Sequence, residues 1–248
     1  MIRVTENLRK IRDLLAETAE NAGRNRDSVK LLAVSKKQPI TAILEAVSAG
    51  QRDFGENQVQ EGIEKVTEIG NPKLTWHFIG HLQTNKTKLV PGHFDWLHTL
   101  DSLRLARRLS GQALNSASTL NVLLQVNIAS DPDKFGLPPA EVSRFVDELL
   151  KSDLAGIRLR GLMTIGRRDA TPGERRRDFT ALRELGNDCA RRFGAELFSE
   201  LSMGMSSDFE TAITEGATMV RVGSSIFGQR PAPAARVRSR AKQHRAHR

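Results

Sequence analysis

A lysine ends the first strongly apolar segment of the chain. Residues 29–36 read VKLLAVSK, a short run that is apolar on both faces and stops at Lys36. This pattern predicts a buried strand, and Pro39 with the following ITAILEAVSAG predicts a helix directly after it. A lysine partly buried at such a junction loses its proton more readily, and its free amine can form a Schiff base with an aldehyde cofactor. A solvated lysine that merely ends the strand is the alternative.

The segment LSMGMSSDFETAITEG offers hydroxyl groups near a predicted helix start. Gly204 is followed by Ser206 and Ser207. Ser207 and Glu210 have the spacing of a capping box. A role for Ser207 as the helix cap is therefore at least as well supported as contact with a ligand. Ser206 is freer to face a ligand.

The segment MVRVGSSIFG places Arg221 inside a predicted strand, with Gly223 and Ser224 just beyond it. Glycine lets the backbone approach a ligand closely, and consecutive amide groups at a helix start favour a phosphate. An arginine within a strand is costly to bury unless it meets an acceptor. That acceptor can be an acidic neighbour in the fold or the ring nitrogen of a cofactor.

Strand-like and helix-like segments alternate along the chain after a first amphipathic helix, without a long linker. The eight predicted strands are residues 30–35, 53–55, 75–79, 96–99, 122–127, 160–165, 201–203 and 219–222. Eight alternating units with short connections favour a single α/β domain of the (β/α)8 TIM-barrel type, because closure leaves no edge strand. An open doubly wound sheet is the competing architecture, but no G-x-G-x-x-G follows the first strand.

Barrel active sites gather at the carboxyl ends of the strands. Besides Lys36 and the two C-terminal segments, this face is predicted to hold several polar residues, namely Glu56, Asn57, His77, His81 and Asn127. His77 and His81 are four residues apart but not on a helix, and no thiol lies nearby, so a zinc site is disfavoured. Residues 80–87, GHLQTNKT, differ from a phosphate loop by one residue, and a nucleotide-hydrolase function is disfavoured because no suitable magnesium-binding aspartate follows a later strand.

The positive charge of the chain is concentrated in residues 229–248. This segment holds seven basic residues and no acid, which leaves about +2 of the formal net charge of +9 on residues 1–228. We therefore predict a barrel domain over residues 1–228 and a disordered basic tail over 229–248, because the tail has too little apolar surface to fold alone. The tail is expected to make weak, salt-dependent contact with polyanions at most.

The sequence contains no apolar run long enough to span a bilayer, and the N-terminal segment lacks the apolar stretch of a signal peptide. The single cysteine, Cys189, cannot form an intrachain disulfide and is expected to be a bystander. We therefore expect a cytoplasmic protein that does not associate with membranes.

Six segments together resemble a known family in order and spacing: LLAVSKKQP, FGENQVQEG, WHFIGHLQTNK, RGLMTIG, LSMGMSSDFETAI and VRVGSSIFG. They are similar to the pyridoxal phosphate homeostasis proteins over about residues 29–228. This resemblance implies a single barrel like the N-terminal domain of alanine racemase, holding pyridoxal 5′-phosphate (PLP). The sequence departs from the usual pattern at Gln58, where FGEN is commonly followed by tyrosine.

The resemblance also implies roles for individual residues. Lys36 corresponds to the lysine that holds PLP covalently as a Schiff base, Asn57 to a residue beside the cofactor ring, and Arg221 to the arginine facing the pyridine nitrogen. The phosphate-binding segments correspond to Met205, Ser206, Gly223 and Ser224. The residues alone lead to the same sites except at Met205, which is expected to be a core residue.

The function implied is PLP binding in intracellular vitamin B6 homeostasis, with an indirect effect on amino-acid and keto-acid balance. Apo forms of PLP-dependent enzymes are candidate partners. No catalytic residue is predicted, since the related racemases use a tyrosine from a second domain and this chain has no tyrosine and ends soon after the eighth strand. A PLP-dependent, racemase-like enzyme is the alternative, in which a histidine such as His77 or His81 would supply the second acid-base group.

Overall fold

The computed structural model describes residues 4–167 and 169–228, so the predicted tail lies outside the described residues. Eight parallel strands close into a barrel in chain order, with β1 paired to β8. The strands are β1 Lys30–Val34, β2 Asp53–Glu56, β3 Thr75–Phe78, β4 Trp96–Leu100, β5 Leu120–Gln125, β6 Ile157–Met163, β7 Glu200–Met205 and β8 Met219–Val222. The predicted (β/α)8 barrel is confirmed, and the open sheet is wrong.

Helices precede, separate and follow the strands. The α-helices are α1 Val4–Asn21, α2 Ile40–Ser48, α3 Val59–Ile69, α4 Leu103–Asn115, α5 Val142–Lys151, α6 Pro172–Phe193, α7 Phe209–Thr214 and α8 Ser224–Phe227. Three 3-10 helices occupy Thr84–Leu89, Pro139–Glu141 and Ala195–Phe198. In the described part of the chain, none of these helices is both apolar enough and long enough to cross a membrane.

Helix α1 secures the elements that flank the seam between β1 and β8. Its apolar face is buried, and Asn7 Nδ2 donates a hydrogen bond of 2.9 Å to the Ile226 carbonyl in α8. Arg12 donates to the Ala49 carbonyl at the end of α2, and Arg24 to the Ile213 carbonyl in α7. The helix therefore fixes both sides of the seam by hydrogen bonds as well as by apolar contact.

The core has two parts. The larger part lies between the barrel and its helices and includes the fully buried Phe54, Phe78 and Phe179. The smaller part fills the barrel interior with Leu32, Trp96, Leu123, Met163 and Met219. The interior also contains buried polar side chains.

The sixth strand begins three residues before its predicted start at residue 160. Ile157 and Leu159 are buried while Arg158 is exposed, so the first part of β6 alternates instead of forming a continuous apolar run. Val122 pairs with Leu159, and the next residue of β5 pairs with Gly161. Arg160 is therefore the extra residue of a β-bulge. The start of the strand was missed because Arg158 and Arg160 interrupt its apolar pattern.

Candidate functional site

A cavity of about 590 Å³ lies at the carboxyl ends of the strands, where β1, β7 and β8 meet. Apolar side chains and glycine backbone form part of its wall, and an amine, a guanidinium, an amide and three hydroxyl groups make the other part polar. The lining residues are Val34, Lys36, Gln38, Ile79, Met205, Ser206, Ser207, Arg221, Gly223, Ser224 and Gly228. This mixture suits a small ligand that is partly apolar and carries an anionic group.

The structure brings six of the seven predicted site residues to this cavity, all except Asn57. Asn57 is half-buried directly after β2. Its backbone packs against Gly80, where an added Cβ would lie 2.2 Å from the Asn57 carbonyl oxygen. Its role beside a ligand stays a prediction. The lining residues that the sequence analysis did not select include Gln38, which follows Lys36 in the same turn.

The turn after β1 presents a half-buried Lys36 to the cavity. The next residue, Lys37, has a φ of 60°, which a residue with a side chain adopts only when its surroundings hold it there. The Lys37 N–H donates to the Glu61 carboxylate, and the Gln38 N–H donates to the Ser35 carbonyl at 3.0 Å. These bonds fix the backbone on both sides of the lysine.

A buried ionic cluster underlies this turn. Lys65 Nζ donates to Glu56 Oε1 at 2.8 Å, to Glu61 Oε1 at 2.6 Å and to the Ser35 carbonyl at 2.7 Å. The Ser35 hydroxyl also donates to Glu56 Oε1 at 2.6 Å. Burial raises the pKa of Glu56 in spite of these partners. Glu56, predicted to face the site, thus supports the lysine turn from behind.

Arg221 is buried in β8, and its guanidinium borders the cavity. Nη1 donates to Ser202 Oγ at 2.7 Å, and Nη2 donates to the Thr164 carbonyl at 2.8 Å. These acceptors are a hydroxyl and a carbonyl, and among the described residues no carboxylate forms an ion pair with Arg221. Burial lowers the pKa of Arg221 to about 10, so the side chain remains charged at neutral pH.

The end of β7 corrects two expectations. Met205 is 37% exposed and lies in the cavity wall, so its assignment to the core is wrong. Helix α7 begins at Phe209 with Asp208 as its N-terminal cap, and the Met205 N–H donates to Asp208 Oδ1 at 2.6 Å. Ser207 is consequently not the cap and lines the cavity instead.

Gly223 lets β8 end close to β1. A Cβ on this residue would lie 3.1 Å from the Val34 carbonyl oxygen and 3.3 Å from its Cβ. The Gly223 N–H donates to Ser206 Oγ at 3.3 Å. Backbone and hydroxyl groups that follow β7 and β8 thus lie together at one end of the cavity. Gly223 has no side chain that would occupy this space.

The two histidines predicted near the site lie in different places. His77 is fully buried in the barrel interior, where Nδ1 lies 2.9 Å from His98 Nε2. His81 is exposed and stacks on Phe135 with a centroid distance of 3.6 Å. Within the described ranges, no group of three or more histidine, cysteine, aspartate or glutamate side chains could hold a metal ion.

We expect the free energy of unfolding to fall as the pH is lowered from about 7.5 to about 5.5. Burial lowers the pKa of His77, and it lowers that of His98 well below the ordinary value of 6.5. The unfolded chain therefore binds more protons in this window than the folded chain. The stability present above pH 6.5 should be lost on acidification by up to about 1.4 kcal/mol per pH unit for each histidine.

Urea unfolding at several pH values measures this slope. His98→Gln should reduce it, whereas His81→Gln, at an exposed position, should leave it unchanged. The raised pKa of Glu56 acts in the opposite direction, since a carboxyl that binds its proton more tightly when folded stabilises the protein as the pH falls. Stability that is constant or rises toward pH 5.5 would contradict the prediction.

A closed (β/α)8 barrel with a lysine after its first strand and an arginine in its eighth, both at one cavity, defines a class of protein. The family model for the alanine racemase N-terminal domain matches residues 4–231. Alanine racemase of Clostridium difficile 630 is similar in fold, with a TM-score of 0.72 at 18% identity over 93% of this chain and 58% of the racemase chain. The protein is therefore a barrel of this class.

The chain belongs to the pyridoxal phosphate homeostasis protein family within that class. It is 45% identical over 233 residues to the family member of Escherichia coli (strain K12), covering 92% of this chain and 97% of that protein. The member from Pseudomonas aeruginosa is 43% identical, with 93% and 97% covered. PipY of Synechococcus elongatus PCC7942, solved with PLP bound, is 40% identical with a TM-score of 0.80, over 91% of this chain and 100% of PipY. The predicted resemblance is confirmed.

Proposed function

We propose that the protein binds PLP in the cavity between β1, β7 and β8 and acts in vitamin B6 homeostasis without catalytic turnover. The observation that carries this proposal is the meeting of Lys36, Arg221 and the Ser206, Gly223 and Ser224 groups at one cavity. The bound PLP of PipY and the names of the relatives support it. One buried thiol and no possible intrachain disulfide fit action in the reducing cytoplasm.

The donor set fits this ligand. PLP supplies an aldehyde carbon that amines attack. Lys36 Nζ would hold that carbon covalently as a Schiff base, with the aldehyde oxygen leaving as water, and hydrolysis of the same bond would release the ligand. The reversibility of this bond is what a protein that stores and releases a reactive aldehyde requires.

Arg221 would face the pyridine nitrogen, and its charge would disfavour a proton there. The Ser206 and Ser224 hydroxyls and the backbone at Gly223 would bind the phosphate. Met205 would form part of the wall beside it, and Asn57 would lie near the ring. The assignment of these roles follows the family motifs, and it is supported by the position of these residues, except Asn57, in the wall of one cavity.

The absence of turnover is proposed from the acid-base groups that the chain offers. Racemisation needs such groups on both faces of a bound amino acid. Lys36 can serve one face, and the chain has no tyrosine for the other. His77 is enclosed in the barrel interior, so it cannot reach a ligand in the cavity. This removes one of the two histidines on which the alternative, racemase-like function depends.

The full-length protein should acquire a visible absorbance band with PLP, and borohydride should make the attachment permanent. It should pass PLP to the apo form of a PLP-dependent enzyme, restoring that enzyme's activity. Free amino acids should undergo no sustained racemisation, transamination or decarboxylation. PLP without the protein, at the same concentration, is the control for both transfer and turnover.

Two results would overturn parts of this proposal. A protein that gives no band with PLP does not bind it as proposed. Multiple turnovers of a free amino acid that disappear in Lys36→Ala would show a PLP-dependent enzyme, which is the alternative function.

A further inference from the structure

A continuous chain of hydrogen bonds crosses the barrel interior behind the cavity. Arg221 Nη1 lies 2.7 Å from Ser202 Oγ, which lies 2.9 Å from His98 Nδ1. His98 Nε2 lies 2.9 Å from His77 Nδ1, and His77 Nε2 lies 3.2 Å from Asp53 Oδ1. Five strands contribute one residue each. This series of hydrogen bonds joins the cavity to Asp53, the first residue of β2, at the opposite end of the barrel.

The direction of every bond follows from its two ends. A guanidinium can only donate, so the Ser202 hydroxyl accepts from Arg221. The Asp53 carboxylate can only accept, which leaves Nδ1 of both neutral rings without a proton, so the Ser202 hydroxyl donates to His98 Nδ1. A neutral His98 then carries its proton on Nε2 and donates to His77 Nδ1. His77 in turn carries its proton on Nε2 and donates to the Asp53 carboxylate. All four bonds therefore run one way, from the cation to the carboxylate.

The surroundings keep both rings neutral. His77 and His98 are fully buried, and the ring of Trp96 stacks on His77 at a centroid distance of 5.5 Å. Burial lowers the pKa of both histidines, with Lys30 lowering both further and Arg221 lowering that of His98. Asp53 and Asp95 favour a proton on His77 but do not offset burial. A second proton on either ring would also remove the acceptor that its neighbour needs.

We propose that Ser202 and His98 are positioning residues for Arg221, holding its guanidinium in one orientation at the cavity through this one-way chain anchored on Asp53. The two Nη atoms are fixed by different strands, Nη1 by Ser202 in β7 and Nη2 by the Thr164 carbonyl just after β6. A planar group held at two points cannot turn about its axis. The part of the proposal that concerns a ligand rests on the proposed function.

The protonation pattern can be measured in the full-length protein without PLP. Nitrogen-15 NMR of labelled histidine at neutral pH should show His77 and His98 as neutral rings, each with a bare Nδ1 and a proton on Nε2. The six histidines of the chain are assigned by substituting each in turn. A proton on Nδ1 of either ring, or a doubly protonated ring, would contradict the proposed direction of the hydrogen bonds.

Ser202→Ala tests the consequence at the cavity, with Ser110→Ala as the matched control. Ser110 is also a buried serine, and it accepts a bond from the Gly156 N–H far from the barrel interior. In Ser202→Ala we expect about tenfold weaker PLP binding, since a bond to a charged group is lost, and a shifted pH midpoint of the visible band. Ser110→Ala should match the wild type in both.

A folded Ser202→Ala protein with wild-type affinity and an unchanged midpoint overturns the positioning role. If that variant does not fold, Asp53→Ala at the other, partly exposed end replaces it, and it should change the nitrogen signals of both His77 and His98. Unchanged signals at His98 would then overturn the proposal. Failure of the wild type to bind PLP contradicts the proposed function alone, because the nitrogen signals are recorded without the ligand.

Discussion

Lys36→Ala should abolish the visible PLP band and all borohydride-stable attachment of the ligand. The substitution removes the one primary amine among the described residues that line the cavity, and a primary amine is needed to form a Schiff base with an aldehyde. The core side chains are untouched, so the unfolding temperature of the unliganded protein should change by little. Absorbance spectra before and after reduction, mass spectrometry of the reduced protein and a thermal scan measure these effects.

The neighbouring lysine provides the control. Lys37 is exposed, does not line the cavity and interacts with Glu61 through its backbone N–H. Lys37→Ala should therefore keep the band and the reducible adduct. A reducible adduct that persists in Lys36→Ala would show that another amine holds PLP and would refute the assignment of Lys36.

Gly161→Ala should destabilise the barrel by more than about 4 kcal/mol. Gly161 follows the bulge in β6 and has a φ of 150°, a region that residues with a Cβ rarely adopt. An alanine Cβ there would lie 1.8 Å from the Glu200 carbonyl oxygen of β7, so the paired strand would have to move. Urea unfolding should show the loss, or the protein should fail to accumulate in folded form.

Gly111→Ala is the opposite case within the same chain. Gly111 is exposed in α4, and apart from the adjacent residues and the backbone of its own helix, an added Cβ would have no heavy atom within 4 Å. Alanine loses less backbone entropy on folding than glycine, so this substitution should stabilise the protein by about 0.5–1 kcal/mol. Similar unfolding curves for the two variants would mean that β7 adapts to Gly161→Ala, contrary to the close contact observed.

A strand that ends at a glycine could be delimited from sequence, and a strand whose first residues alternate between apolar residues and arginine could not. Residues 219–222 were predicted as they are found, because MVRV contains one arginine between apolar neighbours and ends at Gly223. The start of β6 was missed because Arg158 and Arg160 interrupt its apolar pattern. A bulge changes which residues face the core without changing composition, and so it leaves no local signal.

Some residues of the candidate site could likewise be predicted from sequence, and others could not. Lys36 and Gly223 directly follow predicted strands and Ser206 precedes a predicted helix start, and such ends are visible in the sequence. The partners of Arg221 were not predicted, since Ser202 and Thr164 are 19 and 57 residues away and meet it only through the strand register. Buried hydrogen-bond partners across a barrel depend on that register, which hydrophobic periodicity does not specify.

The seam between β1 and β8 makes ligand binding a measure of barrel closure. Lys36 follows β1 and Arg221 lies in β8, so the two groups are neighbours only when these distant parts of the sequence have paired. During synthesis, none of the binding groups on β1 can meet those on β8 until nearly all of the described chain has emerged. A ligand that requires both strands binds only the closed state and so stabilises it, by about 2.7 kcal/mol at a free concentration one hundred times the Kd. Slow release of the ligand would then protect the seam against the strand separation with which unfolding can begin.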